Sequence, residues 1–270
     1  MRHVVLHSGG HSSGLVAIEV CRRFGAENVT LLNHDIPALM EDQDIKRFKR
    51  EIAEYVGLPI TYASHPDPTA NQFSVCIQSK AFKINNGPEI CTSRLKTEPF
   101  MRWLKENHPE KDCICYYGFD KNEMHRVQRR SSIMGALGYK TDYPIALWRE
   151  RTIHQSIEVG IAKPLGYSNF KHANCAGCLK AGWQHWYVIY CTRPDIWAMG
   201  KEAEEIIGYA IHHDDSGPAY LEDMEPKFAA MRCAGVPATE HIPHQRFWNK
   251  AAKVIDITVQ LKLLPCECAA

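Results

Sequence analysis

The sequence has almost no net charge, because 32 lysines and arginines face 31 aspartates and glutamates, which leaves +1. A chain without a global electrostatic field must bind any polyanionic partner at a local site. No apolar run approaches the ~20 residues that cross a bilayer. The opening MRHVVLHSGG also lacks the charged, apolar and small-residue regions of a secretory signal. We therefore expect a cytoplasmic protein without a membrane partner.

Internal repeats, low-complexity segments and a Pro-rich or Ser-rich linker are also missing, which argues against a repeat array or freely swinging domains. The composition is that of an ordinary globular protein, with 45% apolar and 23% charged residues among 270. The residue composition changes between 150 and 165. This change predicts two domains, 1–160 and 161–270, with the second packed on the first.

Short apolar runs alternate with amphipathic stretches through the first 150 residues. The runs predict strands at 3–8, 29–35, 58–64, 113–119 and 144–148. The stretches between them predict helices at 12–24, 42–55, 97–107 and 122–137, while 65–91 is expected to be less regular. Alternating strands and helices predict an α/β fold with a parallel sheet, and the C-terminal region is expected to be smaller and mostly helical.

A glycine-rich loop joins the first predicted strand to the first predicted helix, with the sequence Ser8-Gly9-Gly10-His11-Ser12-Ser13-Gly14. Backbone N–H groups at such a turn can approach phosphate, and the helix dipole favours negative charge there. The loop is neither a dinucleotide fingerprint nor a Walker loop, since no Gly-Lys-Ser/Thr follows. The alternative is a tight strand-to-helix turn with a serine cap.

The same loop resembles the S-G-G-x-D-S signature of the PP-loop ATP pyrophosphatases, also called adenine-nucleotide alpha hydrolases. Ser8, Gly9, Gly10 and Ser13 match, and Ser12 stands where the family has an aspartate that helps to organise metal and phosphates. The branch of sulfonucleotide reductases also lacks this aspartate. The resemblance implies a Rossmann-like PP-loop domain, followed by the helical region with a C-x-x-C.

Two further segments are similar to the phosphoadenosine phosphosulfate (PAPS) reductases and their relatives. CTSRLKTEPF (91–100) resembles their C-C-x-x-R-K-x-x-P-L segment, and Gly118-Phe119-Asp120 with Glu123 and Arg126 resembles G-x-D-x-x-E-x-x-R. The resemblance implies catalytic residues and residues that bind ATP or another adenine nucleotide with Mg²⁺. The catalytic set is Arg94, Lys96, Asp120, Glu123 and Arg126. The nucleotide set is Ser8, Gly9, Gly10, His11, Ser12, Ser13, Asn33, Asp35 and Gly118.

Eleven cysteines in a chain expected to be cytoplasmic favour metal or redox chemistry over disulfides. Cys175-Ala-Gly-Cys178 has the spacing that zinc sites, iron–sulfur clusters and redox pairs share, and a structural turn is the alternative. Cys91 lies where the [4Fe–4S] sulfonucleotide reductases have a Cys-Cys pair, so the resemblance implies a cluster on Cys91, Cys175 and Cys178. Zinc, with His172 as fourth ligand, is the alternative.

Three functions follow from the resemblance. The first is release of pyrophosphate from ATP through an adenylated intermediate, with sulfur transferred by the iron–sulfur centre from a sulfur donor to an acceptor such as a nucleic acid. The second is reduction of PAPS or its non-phosphorylated relative to sulfite, although the C-terminal Cys266 and Cys268 match the reductases' tail motif only faintly. The third is a non-catalytic nucleotide-binding module. The oligomeric state stays open, with a homodimer among the alternatives.

Overall fold

The computed structural model describes residues 1–85, 87–165, 169–171, 175–214 and 217–263, which divide into two structural units. The first unit contains the parallel sheet and its helices. The second contains the C-terminal helices together with the segment Gln72–Ile90.

Five strands form the sheet of the first unit, and all of their pairings are parallel. They are β1 (Arg2–Leu6), β2 (Val29–Asn33), β3 (Ile60–Tyr62), β4 (Cys113–Tyr116) and β5 (Lys140–Asp142). Their spatial order is β3-β2-β1-β4-β5, so β1 lies in the centre between β2 and β4. The predicted α/β class with a parallel sheet is confirmed.

Helices of the first unit cover both faces of the sheet. They are α1 (His11–Phe24), α2 (Gln43–Val56), α5 (Glu98–Asn107), α6 (Met124–Ala136) and α7 (Pro144–Leu147). The short α4 (Ile90–Thr92) begins with the last residue of the segment Gln72–Ile90 and continues in the first unit. Val5 packs in one apolar cluster with side chains of α1 and α2. Val4 packs in another with side chains of α5 and α6. Successive residues of a strand point to opposite faces, so this alternation produces two cores, one on each side of the sheet.

The strand predicted at 144–148 is wrong. Pro144–Leu147 is a single helical turn, and the last strand lies just before it, at Lys140–Asp142. A proline fixes φ near the helical value and needs no N–H donor at the first helical position, so Pro144 starts a helix more readily than it pairs in a sheet. The stretch 65–91, expected to be irregular, contains helix α3 (Gln72–Ser79).

The second unit is mostly helical and has an aromatic core. Its remaining elements are α8 (Trp183–Thr192), α9 (Pro194–Ile207), α10 (Leu221–Cys233), α11 (His244–Leu263) and the antiparallel pair β6 (His212–Asp214) and β7 (Gly217–Ala219). Trp186, Tyr187 and Phe228 are fully buried, and the rings of Tyr187 and Phe228 meet edge to face with centroids 5.3 Å apart. Helix α8 therefore packs its aromatic residues inside the unit.

Candidate functional site

A cleft of about 460 Å³ lies at the carboxyl ends of β1, β2 and β4, inside the first unit. The connection after β1 leads to β2 on one side, whereas the connection after the adjacent β4 leads to β5 on the other, and in open α/β sheets ligands bind at such a switch in direction. Ten of the residues predicted as site residues line it: Ser8, Gly10, Ser12, Ser13, Asn33, Lys96, Gly118, Asp120, Glu123 and Arg126. The other lining residues are Leu6, Leu32, His34, Thr92, Thr97, Phe100, Tyr117, Phe119 and Arg130.

The glycine-rich loop brings the start of α1 to the cleft. Gly10 precedes the first helical residue with an extended backbone (φ −72°, ψ 147°). The Ser13 hydroxyl donates to the Gly10 carbonyl at 2.8 Å, and the Ser8 hydroxyl donates to Ser13 Oγ at 3.3 Å. The first turn of α1 has no acidic residue to compete for its N–H groups. This arrangement engages the hydroxyl protons of Ser8 and Ser13 within the loop and gives the cleft the positive end of a 14-residue helix.

Gly9 and His11, predicted to contact nucleotide, are not among the lining residues. Gly9 has φ +82°, and a Cβ there would lie 2.5 Å from Ile45 Cγ2, so the residue serves the turn itself. The ring of His11 faces the other way, because its Nε2 accepts the Ser156 N–H at 3.2 Å. Burial lowers the pKa of His11 to about 4, so the ring is neutral at pH 7.

Gly118, after β4, packs directly on the start of α1. A Cβ at this position would lie 2.8 Å from Ser13 N and 3.1 Å from Ser13 Cα. These are backbone atoms, so they can give way only if the loop moves. Glycine is needed here because two backbone segments approach closely.

Asn33 and Asp35, at the end of β2, have different surroundings. Asn33 is 5% exposed; its amide donates to the His7 carbonyl and accepts from Lys49 Nζ at 3.1 Å. Asp35 forms an exposed ion pair with Lys46 at 3.3 Å and does not line the cleft. The structure therefore brings Asn33 to the site and leaves Asp35 outside it.

Three basic side chains line the cleft: Lys96, Arg126 and Arg130. Lys96 is part of a π-helical turn, Ser93–Thr97, between α4 and α5. Arg126 and Arg130 are one helical turn apart on α6 and lie over aromatic rings, with the Arg126 guanidinium 4.3 Å from the centroid of Phe119. Arg94, also predicted, points elsewhere and pairs with Glu98 at 3.0 Å. The lining thus holds three basic side chains beside two carboxylates, Asp120 and Glu123, a net charge of +1 within a single cleft.

Asp120 and Glu123, the predicted carboxylates, are held in one turn. Asp120 Oδ1 accepts the Asn122 N–H at 2.7 Å, and Glu123 Oε2 accepts the Asp120 N–H at 3.1 Å, which makes a reciprocal capping box. Glu123 also pairs with Arg126. Both carboxylates therefore stabilise the turn that leads into α6, and Glu123 also orients an arginine.

His34 was missed as a site residue, although it lies at the end of the strand predicted at 29–35 and directly follows the observed β2. Its Nδ1 lies 2.6 Å from the Ala63 carbonyl. Burial, opposed in part by this hydrogen bond, lowers the pKa of His34 to about 4. The ring is thus neutral at pH 7, and because a carbonyl can only accept, Nδ1 carries the proton and Nε2 is left as an acceptor.

The predicted metal ligands are not gathered into a site within the part of the chain that the structure describes. Cys91, Cys175 and Cys178 are half-buried, and Cys178 belongs to the second unit while the other two belong to the first. Among described residues, no three His, Cys, Asp or Glu side chains lie together as a metal-binding group. His172, Cys266 and Cys268 lie outside the described residues. The cluster and its zinc alternative both stay predictions.

Comparison with known proteins adds no relative: no family model, no curated protein and no solved structure matches the chain. Within the described residues, none of the helices has the length and apolar character needed to span a bilayer.

Proposed function

We propose that the cleft binds ATP, or another adenine nucleotide, and that the protein is a PP-loop type enzyme. In the proposed reaction an oxygen or nitrogen atom of an acceptor substrate bonds to the α-phosphorus of ATP, which gives the adenylated intermediate and releases pyrophosphate. The observation that carries this proposal is the meeting of the α1 N-terminus with Lys96, Arg126 and Arg130 around one cleft at the carboxyl ends of the strands. The cleft volume, about 460 Å³, is within the range of small-molecule sites.

We assign the phosphates of the nucleotide to the glycine-rich loop. Ser8, Ser12 and Ser13 supply hydroxyls at the start of α1, and helix termini of this kind bind anions. The three basic side chains can stabilise the negative charge that develops on a departing pyrophosphate, because charge stabilisation is the main work of phosphoryl-transfer sites. Arginine guanidinium groups in particular match phosphate oxygens in pairs.

We assign the adenosine to the apolar and aromatic part of the lining. Leu6 and Leu32 are apolar, Phe100, Tyr117 and Phe119 are aromatic, and His34 offers an acceptor nitrogen at the end of β2. Apolar and aromatic surfaces with a few polar groups are typical of base-binding pockets.

Magnesium fits the site in part. The carboxylates that line the cleft, Asp120 and Glu123, already accept hydrogen bonds within their turn. Mg²⁺ is commonly bound by one or two carboxylates together with substrate phosphates, so we place it chiefly on the nucleotide's own oxygens. When bound, it would supply charge neutralisation on the phosphates. Sulfur transfer by an iron–sulfur centre rests on the resemblance alone and contributes no step here.

The test compares two neighbouring arginines of α6. Arg130 lines the cleft, whereas Arg129 is exposed and outside the lining. Loss of one charged partner should weaken ATP binding of Arg130→Gln by about tenfold, as measured by calorimetry. Arg129→Gln is the matched control and should bind like wild type. Equal affinities in all three proteins would rule out the cleft as the ATP site.

A product assay then separates the chemistries. Release of pyrophosphate from ATP supports the proposal, sulfite from PAPS or its non-phosphorylated relative supports a reductase, and binding without turnover supports a regulatory module. Gly10→Val should abolish binding in every case, because it places a side chain where phosphate approaches the loop.

The substitution Ser12→Asp restores the aspartate that the PP-loop signature has at this position and tests whether Ser12 contributes to the reaction. If Mg²⁺-dependent pyrophosphate release is the reaction, the added carboxylate should strengthen metal binding and keep or raise turnover. If the substrate is a sulfonucleotide bound without metal, the same charge should repel it. Measuring ATP and PAPS with both proteins distinguishes these outcomes, and unchanged constants for both substrates would place Ser12 outside the reacting site.

A further inference from the structure

A lysine lies almost completely buried beneath the glycine-rich loop. Lys49, on α2, is 2% exposed, and its Nζ pairs with Glu41 Oε2 at 2.7 Å. Glu41 is itself 7% exposed. A buried ion pair of this kind loses much of its Coulomb attraction to desolvation, so it is weak evidence for a purely stabilising role.

Lys49 also contacts the candidate site by three routes. Its Nζ donates to Asn33 Oδ1 at 3.1 Å, and its main-chain carbonyl accepts from His7 Nε2 at 3.3 Å. The lysine stem lies directly under Gly9, because a Cβ on that glycine would be 3.0 Å from Lys49 Cγ. The side chain of Lys49 thus contacts the end of β2 and the loop between β1 and α1, and its main chain contacts His7, just after β1.

The contact with Asn33 fixes the orientation of its amide. Lys49 can only donate, so the oxygen of Asn33 must face Nζ and the nitrogen must face the His7 carbonyl, to which it donates. An amide nitrogen carries two N–H bonds, and the His7 carbonyl uses one of them. Since Asn33 lines the cleft, the second N–H is the group that it can offer to a ligand oxygen.

We propose that Lys49 is a positioning residue for nucleotide binding: it holds the glycine-rich loop and turns the Asn33 amide so that a donor faces the ligand. Asn33 therefore selects an acceptor, a phosphate or ribose oxygen, at the end of β2. This inference rests on the proposed function for the identity of the ligand, and on the hydrogen bonds of the first unit for the role of Lys49.

The test must avoid leaving Glu41 buried without its partner, which would destabilise the fold. The double variant Glu41→Gln/Lys49→Met removes both charges and keeps an unbranched stem beneath Gly9. Arg50→Met is the matched control, because it removes a positive charge from the next, exposed position of the same helix. Thermal unfolding of each variant establishes that it is folded.

Hydrogen exchange of the segments 7–14 and 31–35 gives a readout that does not depend on a ligand. We expect both segments to exchange faster in the double variant than in wild type and in Arg50→Met, while α10 is unchanged. Calorimetry with ATP should show about a tenfold loss of affinity, the size of one hydrogen bond to a charged group. In a protein that already carries Asn33→Ala, adding the double substitution should cause little further loss of ATP affinity, because Lys49 acts through Asn33.

The outcomes separate the two proposals. If wild type does not bind ATP but the two segments exchange faster in the double variant, the proposed function fails and the positioning role stands. If wild type binds ATP and the double variant binds it equally well, the positioning role is overturned. Unchanged exchange in both segments would overturn it as well, and additive losses with Asn33→Ala would show that Lys49 does not act through that amide.

Discussion

Gly118 has no room for a methyl group, because the backbone at the start of α1 packs directly against it. The Cβ of an alanine would lie 2.8 Å from the backbone nitrogen of Ser13, so the start of α1 must shift to accept it. We expect Gly118→Ala to weaken ATP binding and to lower the free energy of unfolding by about 1–3 kcal/mol, the usual range for overpacking. Calorimetry and chemical denaturation measure the two effects.

Gly135→Ala is the control for that substitution. A Cβ at Gly135, on α6, meets no other heavy atom within 4 Å, so alanine should be neutral or raise the free energy of unfolding by up to about 1 kcal/mol. A Gly118→Ala protein as stable and as tight-binding as wild type would contradict the close approach of the two backbones.

The sequence located the site better than it assigned individual side chains. The loop serines, Lys96 and Arg126 could be predicted because motifs after strands reach the same edge of a parallel sheet. His11, Asp35 and Arg94 belong to the same motifs, but other contacts turn them away: His11 to Ser156, Asp35 to Lys46 and Arg94 to Glu98. The contact of His11 joins residues 145 positions apart, which a single sequence does not reveal. The pair Arg94–Glu98 is local, but it forms in helical backbone that begins before the helix predicted from Thr97.

One buried carboxylate on helix α9 accepts hydrogen bonds from the chain that follows the helix. Glu204 is 3% exposed, and its two oxygens accept the N–H groups of Ile211 and Leu221 at 2.8 and 2.7 Å. Desolvation raises the pKa of Glu204 to about 7, against the lowering effect of these hydrogen bonds. A carboxyl with a raised pKa stabilises the fold fully below its unfolded value and loses this contribution as pH rises through the folded value.

Glu204→Gln should therefore change the pH dependence of unfolding. Relative to the variant, wild type should lose stability between about pH 4.5 and 7, by an amount on the order of 3 kcal/mol. Denaturant unfolding followed by tryptophan fluorescence at pH 5, 6, 7 and 8 gives the difference between the two proteins. A difference that is constant over this range would show that Glu204 does not titrate there.

Helix boundaries near the cleft could not be predicted for a local reason. The pattern indicated a helix from Thr97, whereas helical backbone runs on from Ile90 through the π-helical turn Ser93–Thr97 into α5. A π-turn adds a residue to the helical repeat, so the 3.6-residue periodicity used for prediction is interrupted there. Lys96 lines the cleft from this turn.

Acid should unfold the molecule early, because four histidines in the two units are held neutral. Burial lowers the pKa values of His7, His11, His34 and His212 to about 4. Unfolded histidines bind protons below about pH 6.5, so stability is present above that pH and is lost as pH falls towards 4. If all four histidines take up a proton on unfolding, the free energy of unfolding changes by at most about 5 kcal/mol per pH unit.

The pH dependence of the unfolding midpoint between pH 4 and 7 measures this slope. His11→Gln keeps an acceptor for the Ser156 N–H and removes one titrating ring, so it should reduce the slope by about a quarter. A midpoint that stays constant from pH 6.5 to 4.5 would show that these rings are not buried neutral.

The alternation of strands and helices could be predicted because each type of element has its own periodicity in the sequence. The grouping of these elements into two units could not be predicted from periodicity. Gln72–Ile90 groups with the C-terminal helices, although it lies between β3 and α5 in the sequence. Phe73 of α3 packs near the ring of Trp186, with centroids 6.5 Å apart, and a contact across 113 positions leaves no local pattern.

The central place of β1 also governs the order in which the protein can fold during synthesis. Val4 pairs with Thr30 of β2 on one side but with Cys115 of β4 on the other, so β1 is synthesised long before one of its two partner strands. Until then one edge of β1 is open, and sheets built from such distant pairings form slowly. A nascent chain halted before Cys113 would therefore expose an unpaired apolar strand, which makes this interval the one in which chaperones have most to protect.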